Sequence, residues 1–541
     1  MRHLVTKYKD FYSPSLSFYN FHFTTRYFLH ALIYLIIFFL IYLYLKLFQF
    51  TIIDDAFITY NYAESLRNNF VWGFYDNNIT NTATSPLNVI LTGMSGLFFN
   101  NIINASIILA SFEILITVHI SITIVKKLYN LPMLGIVLPF LMIFNPLIIS
   151  TLGLESILYC TVMVISVYFY LEKKMLMLGI ALGLLSLTRL DGVILFLVIL
   201  IFVLISSDNK VFSSIKYFSL KHLKIGELSN AYLKMSVGFI LVVTPWIIFS
   251  WIFLGSFIPE TLFIKIKQHW SDDYKFYNGI ILYFTKYSVS SFFTILPLLG
   301  FFIFAITKKK SLEPLQKILI TFPVVYFILY SFLNVPPYHW YYIPIIFSSI
   351  LLFSLAFTKK IASELGTPNG LKKMIIVVVI ILFSSIGIVN HLNKYDFTSP
   401  EEAPIHTNWA SQQQYRFIAN WINNHIDNTY PIHSQCEIGT LAYYSKEKLI
   451  NVFSSRQLLT DKIIYNLQSK GGFFSILSNL NFLWYKNDEK KTKYNYLIKE
   501  YDYQYNNYDL AQIIKVWKIS SQWVDSGVLL LFKNDVNYSV K

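Results

Sequence analysis

Residues 29–57 read LHALIYLIIFFLIYLYLKLFQFTIIDDAF. The part from 29 to 50 is almost wholly apolar, and its length matches the roughly 20 residues that a helix needs to cross the hydrocarbon core of a bilayer. It is long for the core of a signal peptide, and no convincing small-residue cleavage site follows it. Asp54 and Asp55 come shortly after its end. The stretch therefore predicts an uncleaved transmembrane helix with two adjacent carboxylates at its exit.

Apolar runs of this kind recur as far as residue 391. Hydrophobic residues make up 55% of the 541 positions and charged residues only 14%, against about 25% in soluble globular proteins. The runs predict an α-helical polytopic membrane protein with about 11 transmembrane helices. The predicted spans are 29–50, 103–125, 131–149, 155–171, 175–188, 192–206, 235–254, 287–306, 317–333, 341–357 and 373–391. The chain accordingly divides into a transmembrane domain, 1–391, and a C-terminal domain, 392–541.

Basic residues predict how the chain is oriented in the membrane. A cytoplasmic N-terminus places nearly every basic cluster on the cytoplasmic side, as the positive-inside rule requires. The clusters are Arg2, Lys7, Lys9 and Arg26, Lys126 with Lys127, Lys173 with Lys174, the segment 207–234, residues 308–310, and Lys359 with Lys360. Orientation accounts for most of the net charge of +14, so nucleic-acid binding is excluded as a function.

Two segments complete this topology. The apolar stretch 84–100 contains Pro86 and two glycines, and the odd number of spans holds only if it forms a re-entrant or interfacial helix that does not cross. The external tail, 392–541, is long enough for one small domain. It has an amphipathic stretch at 414–426 and a strand-like run at 527–532, which together predict a soluble α/β domain.

The aspartate pair is the first candidate for chemistry. Two carboxylates at the end of a span are ordinarily just its solvated end. Here the next residues, 56–70, have Ile58 and Tyr62 at the four-residue spacing of a helix lying on the membrane surface, and the non-crossing stretch follows. These pieces predict a pocket at the membrane face, where a carboxylate can act as general base toward a hydroxyl. Burial would raise the pKa of such a carboxyl and a nearby cation would lower it.

Further ionisable and aromatic residues fall at the external ends of predicted spans, within GLES (153–156), TRLDG (188–192), GSFIPETLFIK (255–265) and PPYHWYY (336–342). Charged residues at such depth are costly and usually face a bundle interior or a cavity. The plain alternative is a local Arg189–Asp191 pair and an aromatic belt at the interface. The candidate substrate-binding residues are Glu155, Arg189, Asp191, Glu260, Lys265, Tyr338, His339 and Tyr341. Nucleotide-binding and zinc-protease motifs are absent from the sequence, so no cofactor is predicted, and the role of a divalent metal is left open.

These pieces, in this order, resemble the GT-C superfamily of membrane glycosyltransferases, and most closely its bacterial arabinofuranosyltransferase-like branch. The most specific part is DDAFITYNYAESLRNN (54–69) followed by TSPLNVIL (84–91), and the tail motif EIGTLAYYSKEKLINVFS (437–454) is also similar. Three positions depart from the common pattern. The family often has Pro-Glu where Leu190 and Asp191 stand, Asn in place of Glu260, and Asp in place of Glu437.

The resemblance implies an inverting glycosyltransferase in the bacterial inner membrane. It would move a sugar from a polyprenyl-phosphate donor to a glycan or lipid acceptor at the periplasmic face of the lipid bilayer. The apolar groove beside the spans would hold the prenyl chain of the donor. An aspartate of the first loop would be the base, and Arg189, Lys265 and His339 would bind the phosphate. Between the two aspartates we favour Asp54 as base, because Asp55 directly precedes the helical run and suits its N-cap.

Two other functions compete with this one. A transporter or flippase is a different class, but such proteins often have internal repeats and polar residues near the midplane, and this sequence shows neither. A non-catalytic scaffold of envelope assembly, with the tail as a binding module, is the third. One shared cavity holding Asp54, Arg189, Lys265 and His339 would favour the enzyme, and dispersed positions would favour the scaffold.

Overall fold

A computed structural model of the chain describes residues 15–75, 78–207, 225–268, 274–307, 313–364, 370–395, 400–426, 431–445, 448–469, 471–486, 494–502 and 512–533. The predicted basic clusters at residues 2–9 and 308–310, and most of the segment 207–234, lie outside the described residues. Two parts follow each other along the chain. The first is helical, and the second combines helices with a sheet.

The first part contains the helices α1 (Ser15–Lys46), α2 (Asp54–Asn69), α3 (Pro86–Gly96), α4 (Ile102–Tyr129), α5 (Val137–Ile143), α6 (Pro146–Ile149), α7 (Ser156–Leu171), α8 (Met175–Thr188), α9 (Gly192–Ser207), α10 (Ile225–Phe253), α11 (Glu260–Lys267), α12 (Gly279–Lys286), α13 (Ser288–Thr307), α14 (Pro314–Leu333), α15 (Ile343–Glu364) and α16 (Gly370–Asn393). A short hairpin of β1 (Gly73–Tyr75) and β2 (Asn78–Ile79) follows α2.

Every predicted span falls on helix, although one of them is broken. Within 131–149 a 3₁₀ turn, Pro132–Ile136, leads into α5, and α6 restarts at Pro146 after an N-cap by Asn145, whose side chain accepts two backbone N–H groups. Proline is well suited to the first turn of a helix and poorly suited to its interior, which explains the restart. In the described part, five helices are long and apolar enough to cross a membrane, and further apolar helices are shorter. The total of about 11 crossings stays a prediction.

Helix α2 differs from its predicted setting. It is helical as expected and ends at Phe70, which adopts a left-handed conformation. The expectation that its apolar residues rest on the membrane surface is wrong, because Ile58 and Tyr62 pack in a cluster with tail residues and Phe57 packs in the core of the helical part. The expected N-cap by Asp55 is also wrong. The helix begins at Asp54, the N-cap residue is Ile53, and no side chain caps it.

The second part holds a mixed five-stranded sheet. Its elements are α17 (Gln412–His425), β3 (Ile432–Gln435), α18 (Gly439–Tyr444), β4 (Leu449–Ile450), α19 (Arg456–Leu459), α20 (Tyr465–Ser469), α21 (Gly472–Asn481), β5 (Tyr496–Asp502), β6 (Ile513–Ile519) and β7 (Gly527–Lys533). The strand order is β4-β3-β5-β7-β6, with β3 parallel to β4 and β5 and the remaining pairs antiparallel. The helix expected at 414–426 and the strand expected at 527–532 are both present, as α17 and β7. The domain boundary at 391 stays a prediction.

The two parts meet where α2 and α18 pack together. A Cβ atom added to Gly439 would lie 2.1 Å from the carbonyl oxygen of Asp54, which is closer than any side chain allows. Glycine at this position therefore lets the backbone of α18 rest directly on the first turn of α2. This contact brings the aspartate pair of the first loop against the tail.

Candidate functional site

Asp54 is the residue that joins α2 to the tail. Its carboxylate accepts the backbone N–H of Gly439 at 2.9 Å and that of Thr440 at 2.6 Å. Its own N–H donates to the side-chain oxygen of Asn408 at 3.1 Å. Burial raises the pKa of the Asp54 carboxyl to about 6, against the opposing effect of the two N–H donors, and the neighbouring Asp55 adds to the rise. Both carboxylate oxygens are thus engaged in holding the two parts of the chain together.

Asp55 points to different partners. Its carboxylate is 3.1 Å from the Nζ atom of Lys265, and its side chain is 25% exposed, whereas that of Lys265 is 4% exposed. The Lys265 ammonium lies 3.6 Å from the ring centre of Tyr338 and 5.3 Å from that of Trp340. Burial alone would lower the pKa of Lys265, but the Asp55 charge and the surrounding tyrosines outweigh it and raise the pKa, so the ammonium is held in its charged form.

Two cavities meet at this ion pair. The inner cavity has a volume of about 110 Å³ and lies toward the helical part. The outer cavity, of about 920 Å³, lies between the helical part and the tail. Four residues line both of them, namely Asp55, Ile58, Lys265 and Trp340. The Asp55–Lys265 pair therefore forms part of the wall that the two cavities share.

Arg189 is the centre of the inner cavity's charged wall. Its Nε and Nη2 atoms donate to Asp191 at 2.8–3.2 Å, and its Nη1 donates to Glu155 at 3.2 Å. Nη1 also donates to the carbonyl oxygen of Trp340 at 3.3 Å. All three charged side chains are at most 6% exposed. Each nitrogen of the guanidinium thus donates to an acceptor within the protein. With both carboxylates ionised, Arg189, Glu155 and Asp191 together carry one net negative charge.

Two tyrosines of α14 complete this group. The hydroxyl groups of Tyr326 and Tyr330 donate to the same oxygen of Asp191, at 2.9 and 2.7 Å. Tyr330 and Tyr341 also line the inner cavity. The local Arg189–Asp191 pair of the plain alternative is therefore present. It is one part of a larger network that connects the ends of α7 and α8 to α14.

The outer cavity has carboxyl groups and tryptophans on its tail side. Its lining includes Glu437, Glu500 and Asp525 of the tail and Asp54 of α2, together with Trp409 and Trp523. Lys286 is also in its wall and donates to the carbonyl oxygen of Trp523. Indole faces and carboxylates are surfaces that suit the apolar faces and the hydroxyl groups of a sugar.

Glu437 and Glu500 share one hydroxyl group. The hydroxyl oxygen of Tyr415 lies 2.6 Å from a carboxylate oxygen of each. A phenol has a single proton to donate, so one of these two contacts needs a protonated carboxyl that donates to Tyr415. Burial raises the pKa of Glu500 to about 8, and burial together with the nearby Glu500 and Asp54 raises the pKa of Glu437 well above its ordinary value. The tail side of the cavity therefore holds at least one proton near neutral pH.

The remaining predicted residues lie apart from the two cavities. Glu260 is buried, and one of its carboxylate oxygens accepts the N–H of Asn81 at 3.3 Å, which joins α11 to the segment before α3. Nδ1 of the buried His339 is 3.4 Å from the hydroxyl of Thr407. Neither residue lines the inner or the outer cavity. Four residues were expected to share one cavity if the protein is an enzyme. Lys265 lines both cavities, Arg189 lines the inner one, Asp54 lines the outer one, and His339 lines neither.

Sequence reasoning did not identify several residues of the site. Tyr326 and Tyr330 are spaced one helical turn apart, which could have suggested a shared acceptor on one face of α14. Glu437 stands at the start of the tail motif, whereas Glu500 lies in β5 among alternating residues and gives no signal of its own. Within the described ranges, His, Cys, Asp and Glu side chains form no group of three or more that could hold a metal ion.

Solved structures similar to this chain include two of ArnT from Cupriavidus metallidurans and one of an oligosaccharyltransferase from Archaeoglobus fulgidus. ArnT bound to undecaprenyl phosphate is 13% identical with a TM-score of 0.49, covering 92% of this chain and 97% of its own. Its apo form is 14% identical with the same TM-score, covering 92% and 98%. The oligosaccharyltransferase, tethered to an acceptor peptide, is 12% identical with a TM-score of 0.48, covering 86% and 69%. No protein-family profile and no curated protein match this chain in sequence.

Proposed function

We propose that this protein is an inverting membrane glycosyltransferase that moves a sugar from a polyprenyl-phosphate donor to a hydroxyl group of a glycan or lipid acceptor. The observation that carries the proposal is the position of Asp55. It is a partly exposed carboxylate on the wall shared by a large, sugar-sized cavity and a small one whose lining includes the cations Arg189 and Lys265 beside carboxylates. A base that removes a proton from one substrate while a second substrate loses its leaving group needs such a position.

The proposed reaction makes one bond and breaks one. The acceptor hydroxyl in the outer cavity loses its proton to Asp55, and its oxygen bonds to the anomeric carbon of the sugar. The bond from that carbon to the phosphate oxygen breaks on the opposite side, which inverts the configuration. The polyprenyl phosphate leaves with the electron pair of the broken bond.

Lys265 is the group that we assign to the leaving phosphate. It is a buried ammonium that lines both cavities and is next to the base. A cation that is already desolvated stabilises developing negative charge more strongly than one in water. Arg189 has a different part in this proposal, because Glu155 and Asp191 already occupy its donors. It holds the carboxylates and Trp340 in place around the sugar and phosphate.

The cellular setting is part of the proposal. The predicted orientation places α2, the cavities and the tail on the external side, so transfer takes place at the periplasmic face of the bacterial inner membrane. The donor's prenyl chain lies in the bilayer beside the helices, and the tryptophan-lined tail side receives the acceptor. The transporter and the scaffold are not favoured by any contact of the site.

Matched substitutions of the two aspartates test the proposal. Asp55→Asn keeps the shape of the side chain but removes its basicity, and loss of a general base lowers the rate by about 10²–10⁴-fold. Asp54→Asn is the control, because it makes the same chemical change at the neighbouring residue. It should lower the rate far less than Asp55→Asn does, because we assign Asp54 to holding the tail. The assay follows release of polyprenyl phosphate from a panel of polyprenyl-phosphate pentoses and hexoses in nanodiscs that contain envelope lipids.

Three outcomes would count against the proposal. Full activity of Asp55→Asn with a dead but folded Asp54→Asn would make Asp54 the base. Full activity of both variants would remove the pair from the mechanism. Lack of any release by the wild-type protein across the panel, with unchanged envelope glycans by mass spectrometry when the protein is absent, would reject glycosyl transfer altogether.

A further inference from the structure

An exposed apolar stripe runs along α21 (Gly472–Asn481) in the tail. Phe473, Ile476 and Leu480 recur at spacings of three and four residues, so they lie on one face of the helix. Their side chains are 73%, 70% and 49% exposed, and those of Leu483 and Trp484 in the following turn are 60% and 55% exposed. Monomeric soluble domains rarely leave such a contiguous apolar patch in water.

The opposite face of α21 is well packed, so the exposed stripe is not a sign of a loose segment. Ser475, Ser478 and Asn481 on that face are buried. Phe482 follows the helix and contacts Phe263 of α11 with ring centres 5.1 Å apart, in a cluster with the buried residues Leu459 and Ile464. The helix therefore has one face buried against the protein and one apolar face that is exposed.

Three contacts connect α21 and the turn after it to the last turn of the apolar helix α10 and the segment that follows α10. The indole nitrogen of Trp251 donates to the carbonyl oxygen of Leu480 at 3.1 Å. The side chain of Asn481 accepts the N–H of Ile258 at 2.7 Å and donates to its carbonyl oxygen. Gly255, with φ of +79°, is so close to Tyr485 that a Cβ atom would lie 2.9 Å from the Cα of that residue.

The exposed stripe on α21 adjoins an exposed apolar surface of helix α10. Its segment Asn230–Phe253 is long and apolar enough to cross a membrane, and little of it is buried within the protein. Its last residues include Ile252 and Phe253, which are 53% and 67% exposed and adjoin Trp251. A span that is this apolar and this exposed faces lipid. The exposed face of α21 begins where that lipid-facing surface ends.

We propose that α21 and the turn after it lie in the bilayer interface, with Phe473, Ile476, Leu480, Leu483 and Trp484 inserted among the lipids of the external leaflet. Amphipathic helices bury their apolar faces about 5–10 Å into this region, and tryptophan is favoured at that depth. The tail is then a membrane-resting domain attached at two places, by its link to α16 and by α21. This inference does not depend on the proposed enzymatic activity.

Site-directed spin labels on the full-length protein test it. Single cysteines replace Phe473, Ile476 or Leu480 in a background that lacks Cys160 and Cys436, in vesicles of phosphatidylethanolamine and phosphatidylglycerol. The matched control is Phe417 on α17, a phenylalanine of the same domain that is 66% exposed but makes no part of the stripe. The ratio of accessibility to oxygen over accessibility to a water-soluble nickel complex should be severalfold higher at the three α21 positions than at 417.

Equal ratios at all four positions would overturn the inference. So would labels on α21 that are shielded from both reagents, because that result means a protein surface, either another chain or a second copy, covers the stripe. Trp484→Phe gives a second measurement that leaves the cysteines untouched. Quenching of tryptophan fluorescence by lipids brominated near the headgroup should fall in this variant, and unchanged quenching would place Trp484 in water.

Discussion

The two sides of the shared wall differ in the partners of their buried carboxyl groups. On the inner side, Arg189 sits between Glu155 and Asp191 within hydrogen-bonding distance of both. On the outer side, Glu437 and Glu500 share the hydroxyl of Tyr415, and Asp54 is close enough to raise the pKa of each. On the inner side two carboxylates share one cation, whereas the outer side brings three carboxyl groups together, and the contacts described for them include no ion pair.

The difference separates a fixed charge pattern from a titrating one. An arginine beside a carboxyl group favours the ionised form of that group at every working pH, because arginine does not lose its proton. Carboxyl groups that share a partly buried site keep a proton, because ionising all of them together is unfavourable. The outer side should therefore set how the contact between the two parts responds to pH.

The largest expected effect comes from breaking the inner side. Arg189→Met leaves two buried carboxylates without their cation, and breaking a buried ion pair in this way typically costs about 3–5 kcal/mol. We therefore expect Arg189→Met to unfold at a clearly lower denaturant concentration in mixed micelles, rather than to affect donor use alone. The companion variant Arg189→Met/Glu155→Gln/Asp191→Asn removes all three charges and should recover much of the loss. If Arg189→Met alone were as stable as the wild type, the buried ion pairs of this cluster would make no net contribution to stability.

A smaller effect is expected from the outer side, and it depends on pH. The pKa of Glu500 is about 8 in the folded protein against an ordinary value of 4.5. Between these pH values the unfolded chain has lost a proton that the folded protein keeps. The contribution of Glu500 to the free energy of unfolding is therefore complete below about pH 4.5 and is lost as pH rises toward 8. Glu500→Gln cannot ionise at this position, so its thermal midpoint should fall less than that of the wild type between pH 5 and 8.

The control for the pH measurement is a substitution away from the outer cavity. Lys359→Ala removes one member of an exposed ion pair and leaves the buried carboxyl groups in place, so the pH slope between 5 and 8 should stay as in the wild type. An unchanged slope in Glu500→Gln, or an equal flattening in Lys359→Ala, would contradict the assignment of the pH response to the outer side.

The smallest effect is expected at the exposed Lys359–Glu313 pair. These side chains are 53% and 59% exposed and form an ion pair between α15 and the start of α14. Exposed pairs contribute about 0–1 kcal/mol, because water and salt screen them. Lys359→Ala should therefore change the free energy of unfolding far less than Arg189→Met does. A loss as large as that of Arg189→Met would mean that burial does not explain the inner side's contribution.

The sequence predicted the helices well, because a membrane-spanning run is a local signal that depends on about 20 neighbouring residues. The break within 131–149 follows from Pro132 and Pro146, whose positions could have been used to predict it. The burial of α2 could not be predicted in this way. Its surface helix pattern is the same whether lipid or protein covers it, and the protein that covers it begins more than 350 residues later along the chain.

For the site, the sequence brought the right residue types together but could not assign their partners. Asp55 and Lys265 were both named, and their contact arises from two helices whose relative placement no spacing encodes. The preference between the two aspartates rested on an N-cap that Ile53 occupies instead. Which of the two carboxylates is held by backbone N–H groups depends on Gly439, because its missing side chain allows α18 to approach and bind the Asp54 carboxylate.

The hydrogen bond from Gly439 to Asp54 also sets the earliest time during synthesis at which the site can assemble. The two residues are 385 positions apart, and chains are made at about 5–20 residues per second, so roughly 20–80 seconds pass between them. With the predicted orientation, the first loop crosses the membrane during that interval, before its tail partners have been synthesised and translocated. Under the proposed function, a half-translocated chain cannot consume donor lipid, and the arrival of α18 at the external face is the event that switches the enzyme on.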